Sequence, residues 1–192
     1  MGSIYPDDID RIVAEASHAG SARGANGVGT AASFDCGSFV RVGLRIDPAS
    51  KRIEEACFRS NGCGIMVAAA ELVCEAVEGR SLTDLRGRAG DEVRGRLTAG
   101  GRDVPARRLP CIDACIEALD AAFADFRAFV IEEFVGERPL VCTCFAVGED
   151  EIVRAVETRR LTSVEQVGEA LGAGRGCGSC RMLIEEIIEA HV

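Results

Sequence analysis

The chain has 192 residues, 47% of them hydrophobic, and a net charge of −9. Its length admits one large domain or two small ones, and its apolar content excludes a disordered tail. Its acidic balance disfavours nucleic acid as a partner, because a phosphate-binding surface needs an excess of cations.

The longest strictly apolar run, Ile65 to Ala70, is far too short to span a membrane, so no membrane partner is expected. The N-terminus, MGSIYPDDID, lacks the basic and apolar regions of a secretory signal, and a cytoplasmic location is expected. Ten cysteines in that setting read as reduced thiols, and clustered reduced thiols read as metal-binding or catalytic.

Taken in chain order, Gly20, Gly24, Gly27 and Gly29 follow no recognisable strand and match no phosphate or dinucleotide loop. From Ser38 to Asp47, Val40, Val42, Leu44 and Ile46 alternate with Phe39, Arg41, Gly43 and Arg45, which predicts a half-buried strand. Asp47-Pro48-Ala49-Ser50 reads as a turn, and a second strand over Arg52 to Arg59 completes a hairpin.

Asn61-Gly62 breaks the chain. Met66, Ala69, Leu72, Val73, Ala76 and Val77 then predict a helix from near Ile65 to the stop at Gly79. Ser81 and Asp84 resemble a capping box for a short helix, Asp91 to Leu97 reads as another, and Gly100-Gly101 as a break. Ile112, Ile116, Leu119, Phe123, Phe126, Val130 and Phe134 predict a long helix. Its stripe needs a neighbour, most simply the apolar face of the hairpin. Eight arginines between Arg80 and Arg108 read as a solvated helical face, with a docking face for an acidic protein as the alternative.

Gly136 and Pro139 mark a boundary. Beyond it come three short helices: Glu149 to Thr158, one capped by Ser163 and Gln166, and Arg181 to Ala190. Their core is thin, as in small domains that need a metal or disulfides.

Cys142 and Cys144 form a C-x-C pair, and Cys177 and Cys180 a C-x-x-C pair. Four thiolates in two close pairs suit a tetrahedral metal site or an iron–sulfur cluster, and spacing alone leaves a zinc staple and a cluster equally open. Gly172, Gly174, Gly176 and Gly178 let the backbone approach the sulfurs closely. Upstream, Cys36, Cys63 and Cys111 each fall at the end of an element, and Cys63 and Cys111 precede helices whose dipoles favour a thiolate. Three thiolates without a fourth ligand form an open site that can receive and release cargo. Cys57 and Cys74 read as core. Cys115, four residues after Cys111, and His18 are extra candidate ligands.

The stretch Val141-Cys142-Thr143-Cys144-Phe145, Thr162 to Val167 and Gly176-Cys177-Gly178-Ser179-Cys180 resembles the bacterioferritin-associated-ferredoxin type of [2Fe–2S] domain. The resemblance covers residues 140–192. It implies a permanent [2Fe–2S] cluster on Cys142, Cys144, Cys177 and Cys180 within a small all-α helix–turn–helix fold. Asp35-Cys36-Gly37, Ser60-Asn61-Gly62-Cys63-Gly64, Glu78 to Leu82, and Cys111 with Glu117 to Phe126 resemble the U-type iron–sulfur scaffold family. His18 and Arg23 carry a fainter likeness. The whole chain is similar to the NifU-like scaffolds without their C-terminal domain.

The fold class so implied is α+β: a scaffold domain over 1–135, with a small antiparallel sheet packed with helices, and a [2Fe–2S] domain over 140–192. The implied function is iron–sulfur cluster assembly without catalysis. Cys36, Cys63 and Cys111 would hold iron and a transient cluster. Implied partners are a cysteine desulfurase, apo iron–sulfur recipient proteins, an electron donor and a second copy in a homodimer.

The chain departs from the scaffold pattern at Ser38, where the family has Asp, and at Pro110, where it often has His. Ser21-Ala22 replaces the Asn-Pro after the N-terminal histidine, and Ala106-Arg107-Arg108-Leu109 replaces a Lys-rich segment. The missing ligand is expected to come from elsewhere. The departures motivate a second reading, an electron-transfer or redox-sensing protein with a degenerate scaffold domain. A zinc protein with two structural sites is the third.

Overall fold

The computed structural model describes residues 5–85, 89–98, 104–133 and 140–191. Gly100-Gly101, Phe134, Gly136, Pro139, Arg86, Arg88 and Arg102 lie outside the described residues. The chain forms two compact units, Met1–Phe126 and Arg127–Val192.

In the first unit, alternation sets the sheet. Strand β2 (Phe39–Ile46) turns Val40, Val42, Leu44 and Ile46 inward, each 0–1% exposed, and β3 (Ile53–Ser60) pairs with it antiparallel. The Asp47 carboxylate accepts from the backbone N–H of Ala49 and Ser50 and closes the turn between them. Two further elements precede this hairpin: helix α1 (Asp7–Glu15), whose Ile9, Ile12 and Val13 fall at helical spacing, and strand β1 (Gly27–Ala32), which pairs antiparallel with β2 and makes the sheet order β1-β2-β3.

The composition of β1, GVGTAA, has a steric cause. A Cβ at Gly27 would lie 2.7 Å from the Ala122 carbonyl oxygen, and one at Gly29 would run into the backbone of Ala118 and Ala122. Those alanines belong to helix α5 (Leu109–Glu133), which lies directly on β1 with Ala118 and Ala122 buried. The expected hairpin is thus a three-stranded sheet, and β1 supplies the close neighbour of the long helix. The Val28 N–H donates to the Asp125 carboxylate at 2.8 Å across this contact.

Helix α2 (Gly64–Val77) is apolar on nearly every side and is buried accordingly, against α1, β2, β3 and helix α4 (Ala89–Thr98). The short helix α3 (Leu82–Leu85) starts at Ser81, whose hydroxyl accepts from the Thr83 N–H. Three of the five described arginines of the basic stretch form surface ion pairs, Arg80 with Glu92, Arg94 with Asp113 and Arg96 with Glu75, as on a solvated face.

In the second unit, a two-stranded ribbon of β4 (Leu140–Cys142) and β5 (Val147–Gly148) precedes three helices: α6 (Glu149–Arg159), α7 (Val164–Leu171) and α8 (Arg181–His191). The ribbon is added to an otherwise helical region. Ser163 caps α7 by accepting from the Gln166 N–H, and the Gln166 side chain accepts from the Thr162 N–H. Ile152, Val156, Val167, Ile184 and Ile188 form a small core, which Cys142 and Cys180 join. Among the described residues, no helix is long and apolar enough to cross a membrane.

Candidate functional site

All ten cysteines are free thiols. Seven of them, the sets singled out from sequence, fall into two groups.

In the first unit, Cys36 is exposed in the turn before β2, Cys63 is the N-cap of α2, and Cys111 is buried. The Cys63 and Cys111 sulfurs lie 4.0 Å apart, and the Cys36 thiol hydrogen-bonds toward Cys111. Residues far apart in sequence therefore converge because the hairpin, α2 and α5 meet at one end of the sheet.

The three thiols differ in acidity. Hydrogen bonds from Ser38, chiefly its hydroxyl and also its backbone N–H, lower the Cys36 pKa to about 7. Burial, then the adjacent Cys63, push Cys111 up to about 11. That corrects the expectation that Cys111 precedes a helix and is held as a thiolate there: it lies inside α5, and desolvation outweighs the helix dipole. Arg108, in the 3-10 turn before α5, sets its guanidinium beside Cys63 and Cys111 and donates to Cys111. The Tyr5 hydroxyl accepts from the Gly64 N–H at 3.2 Å, at the start of α2.

The extra candidate ligands point elsewhere. Cys115 is fully buried, its thiol donating to the Met66 carbonyl at 3.5 Å, and burial pushes its pKa up. His18 is neither solvent-exposed nor turned to the thiols. Its Nδ1 lies 2.7 Å from Glu71 Oε1 and its Nε2 3.7 Å from Glu78 Oε2. Cys74 is core, as expected. Cys57 is not: it is half-buried, opposite Gly43 in the register, and lines a surface cleft.

In the second unit the pairing crosses the two motifs. The Cys144 and Cys177 sulfurs are 3.5 Å apart, and Cys180 hydrogen-bonds Cys142. Among the described residues, no three Cys, His, Asp or Glu side chains are placed to hold one metal ion. Two pairs of thiols suit two iron atoms, each taking one cysteine from either motif.

The surrounding backbone fits such a cluster. The N–H groups of Phe145 and Gly174 hydrogen-bond Cys142, that of Cys177 bonds Cys144, and that of Ser179 bonds Cys177. A Cβ at Gly176 would sit 2.9 Å from the Cys144 sulfur, so only glycine leaves this cradle open. Burial still pushes Cys142 up, and its neighbour Cys180 adds to that. Cys177 is exposed, and the Ser179 hydroxyl, 3.2 Å away, lowers its pKa to about 7.

Sequence reasoning missed Ser179 and the positive role of Ser38. One signal was available. Cys36-Gly37-Ser38 and Cys177-Gly178-Ser179 are the same tripeptide, each with a left-handed glycine (φ 68° and 80°) that brings the serine hydroxyl back to the sulfur.

Comparison with known proteins adds the family context. Residues 4–133 match the NifU-like N-terminal domain, and residues 140–190 the BFD-like [2Fe-2S] binding domain. A nitrogen fixation protein NifU of Trichormus azollae is 32% identical over 84% of this chain and 53% of its own length. One of Azotobacter chroococcum mcd 1 is 28% identical over 98% of this chain and 60% of its own. The chain thus spans little more than half the length of these relatives. The crystal structure of the N-terminal part of a NifU-like protein from Brucella abortus superposes with a TM-score of 0.51 at 18% identity, covering 65% of this chain and 95% of that one, a likeness of fold.

Proposed function

Because the chain belongs to the NifU-like N-terminal domain family, with a BFD-like [2Fe-2S] binding domain after it, we propose that it is an iron–sulfur cluster assembly scaffold, a carrier rather than an enzyme. In this reading residues 1–135 are the scaffold domain and 140–192 the [2Fe–2S] domain. The observation that carries it is the contrast between two thiol groups in one chain. One is open, with exposed Cys36 leading to buried Cys111 beside Arg108. The other is a crosswise set of four ringed by backbone N–H groups.

At the open group, the Cys36 thiolate attacks the outer sulfur of a persulfide on a cysteine desulfurase. A new S–S bond forms at Cys36, the old one breaks, and the desulfurase leaves as a thiolate. Cys63 and Cys111 hold iron and the growing cluster as cargo. Cys111, with a pKa of about 11, gives up its proton only as metal arrives. Arg108 offsets the thiolate charge that then accumulates. With Ser38 and Pro110 in place of stronger donors, the fourth position stays open for transfer to apo iron–sulfur recipient proteins.

At the closed group, Cys142 and Cys180 would hold one iron, and Cys144 and Cys177 the other. When bound, such a cluster supplies one-electron chemistry, and an electron donor belongs among the partners. The N–H groups of Phe145, Gly174, Cys177 and Ser179 stabilise the thiolates whether or not metal is present. A reducing cytoplasmic setting and a homodimer complete the reading.

The test is desulfurase-driven loading followed by transfer to an apo-ferredoxin. The Cys36→Ala/Cys63→Ala/Cys111→Ala variant is expected to lose transfer while keeping the visible absorption of the second site. Undiminished transfer would favour the alternative, an electron-transfer or redox-sensing protein whose first domain no longer assembles clusters.

A further inference from the structure

A second charged feature lies on the outer face of the sheet. Arg41 of β2 and Arg59 of β3 are direct cross-strand partners. Like charges placed opposite each other destabilise a sheet. Neither guanidinium makes an ion pair or hydrogen bond to another described residue. The nearby carboxylates of Glu54 and Glu55 are both engaged by Arg45. In a chain of net charge −9, two adjacent arginines with no acidic partner among the described residues are out of keeping with their surroundings.

The pair also borders a cleft of about 300 Å³, lined by both arginines, by Gly43 and Cys57 of the sheet, and by Ser21 and Ala22 of the segment that crosses it. Gly43 leaves the floor of the cleft without a side chain, and a Cβ there would make only ordinary contact, 3.8 Å from Ala25 and 4.0 Å from Ala22, so a larger residue could occupy that space.

We propose that this cleft binds a phosphate group between the Arg41 and Arg59 guanidinium forks, with the Ser21 hydroxyl as a further donor. Two planar cationic forks match an oxyanion with several charged oxygens. A phosphate carries close to two negative charges near neutral pH and neutralises both arginines, whereas a carboxylate neutralises one. The site stands apart from the thiol chemistry and does not depend on it.

The full chain, titrated with inorganic phosphate at ionic strength matched by chloride, reads the site by melting temperature and by calorimetry. Phosphate is expected to raise the melting temperature, and acetate to leave it unchanged. In Arg41→Gln/Arg59→Gln the affinity falls at least about tenfold. Without phosphate, that variant melts no lower than the native chain, because a repulsive pair has gone.

Gly43→Val, which fills the floor and keeps both arginines, is expected to lose binding as well. Glycerol phosphate in a parallel titration separates the two sources. Binding equal to that of the inorganic ion points to the end group of a phosphorylated metabolite, and binding of the inorganic ion alone points to free phosphate. No phosphate-dependent rise in the native chain, or an equal rise in the double variant or in Gly43→Val, overturns the proposal.

Discussion

Single side chains set the reactivity of the thiols. Cys36 and Cys111 belong to one group, yet their pKa values stand at about 7 and about 11, because one receives a serine hydroxyl in the open and the other is buried against a thiol. Alkylation of Cys36 should therefore be half-maximal near pH 7 and fall as the pH drops through that value, while Cys111 stays unreactive below about pH 10. Ser38→Ala removes the hydroxyl that lowers the Cys36 pKa most and moves its midpoint upward. Ser38→Asp moves it further, since a carboxylate repels the thiolate. A midpoint that ignores both substitutions refutes this account of the serine, as site-resolved mass spectrometry of the alkylated thiols would show.

Glu71 shows the same principle in a carboxylate. It is 3% exposed; burial alone would raise its pKa, but hydrogen bonds from the His18 ring and from the Ser17 and His18 N–H groups outweigh that and leave it below its ordinary value. A carboxylate depressed in the folded state stabilises above its unfolded pKa, and that contribution disappears as pH falls through the folded pKa. Glu71→Gln should lower the melting temperature at neutral pH and lose part of the native chain's acid-side slope. Parallel melting curves from pH 3 to 7 would count against it.

Elements show where pattern reading works and where it stops. Period two at Val40 to Ile46 and the helical stripe from Ile112 were legible because burial on one face imposes a period. Strand β1 was not, because its residues were selected by a neighbour rather than by a face. Glycine at positions 27 and 29 reads as loop until α5 is laid across it. Gly29→Val is accordingly expected to destabilise the first unit by about 1–3 kcal/mol through overpacking against Ala118 and Ala122, measured by urea unfolding. A change within error would mean that α5 moves away freely. Helix α1, in contrast, was legible: Ile9, Ile12 and Val13 fall at helical spacing behind an acidic first turn of Asp7, Asp8 and Asp10.

At the scale of the molecule, the second unit is expected to depend on metal for its stability and the first is not. Its core is small and counts Cys142 and Cys180 among its buried members, while the first unit has a sheet, a buried helix α2 and α5. Removal of iron by a chelator should collapse amide protection in residues 140–191 and spare β2, β3 and α2 in hydrogen exchange. Protection that survives in α6 to α8 would show that the helices hold without a cluster.

The sequence alone determined the cysteine spacings and the alternating strand, because these are local and read directly from residue order. Only the tertiary structure decided how the thiols pair. Cys142 meets Cys180 and Cys144 meets Cys177 across 33 or more positions, and Cys63 meets Cys111 across 48. It also turned His18 to Glu71 and Cys115 to Met66, and set Arg41 beside Arg59. Such partners are chosen by register and helix docking, which bring together residues whose separation along the chain carries no signal of contact.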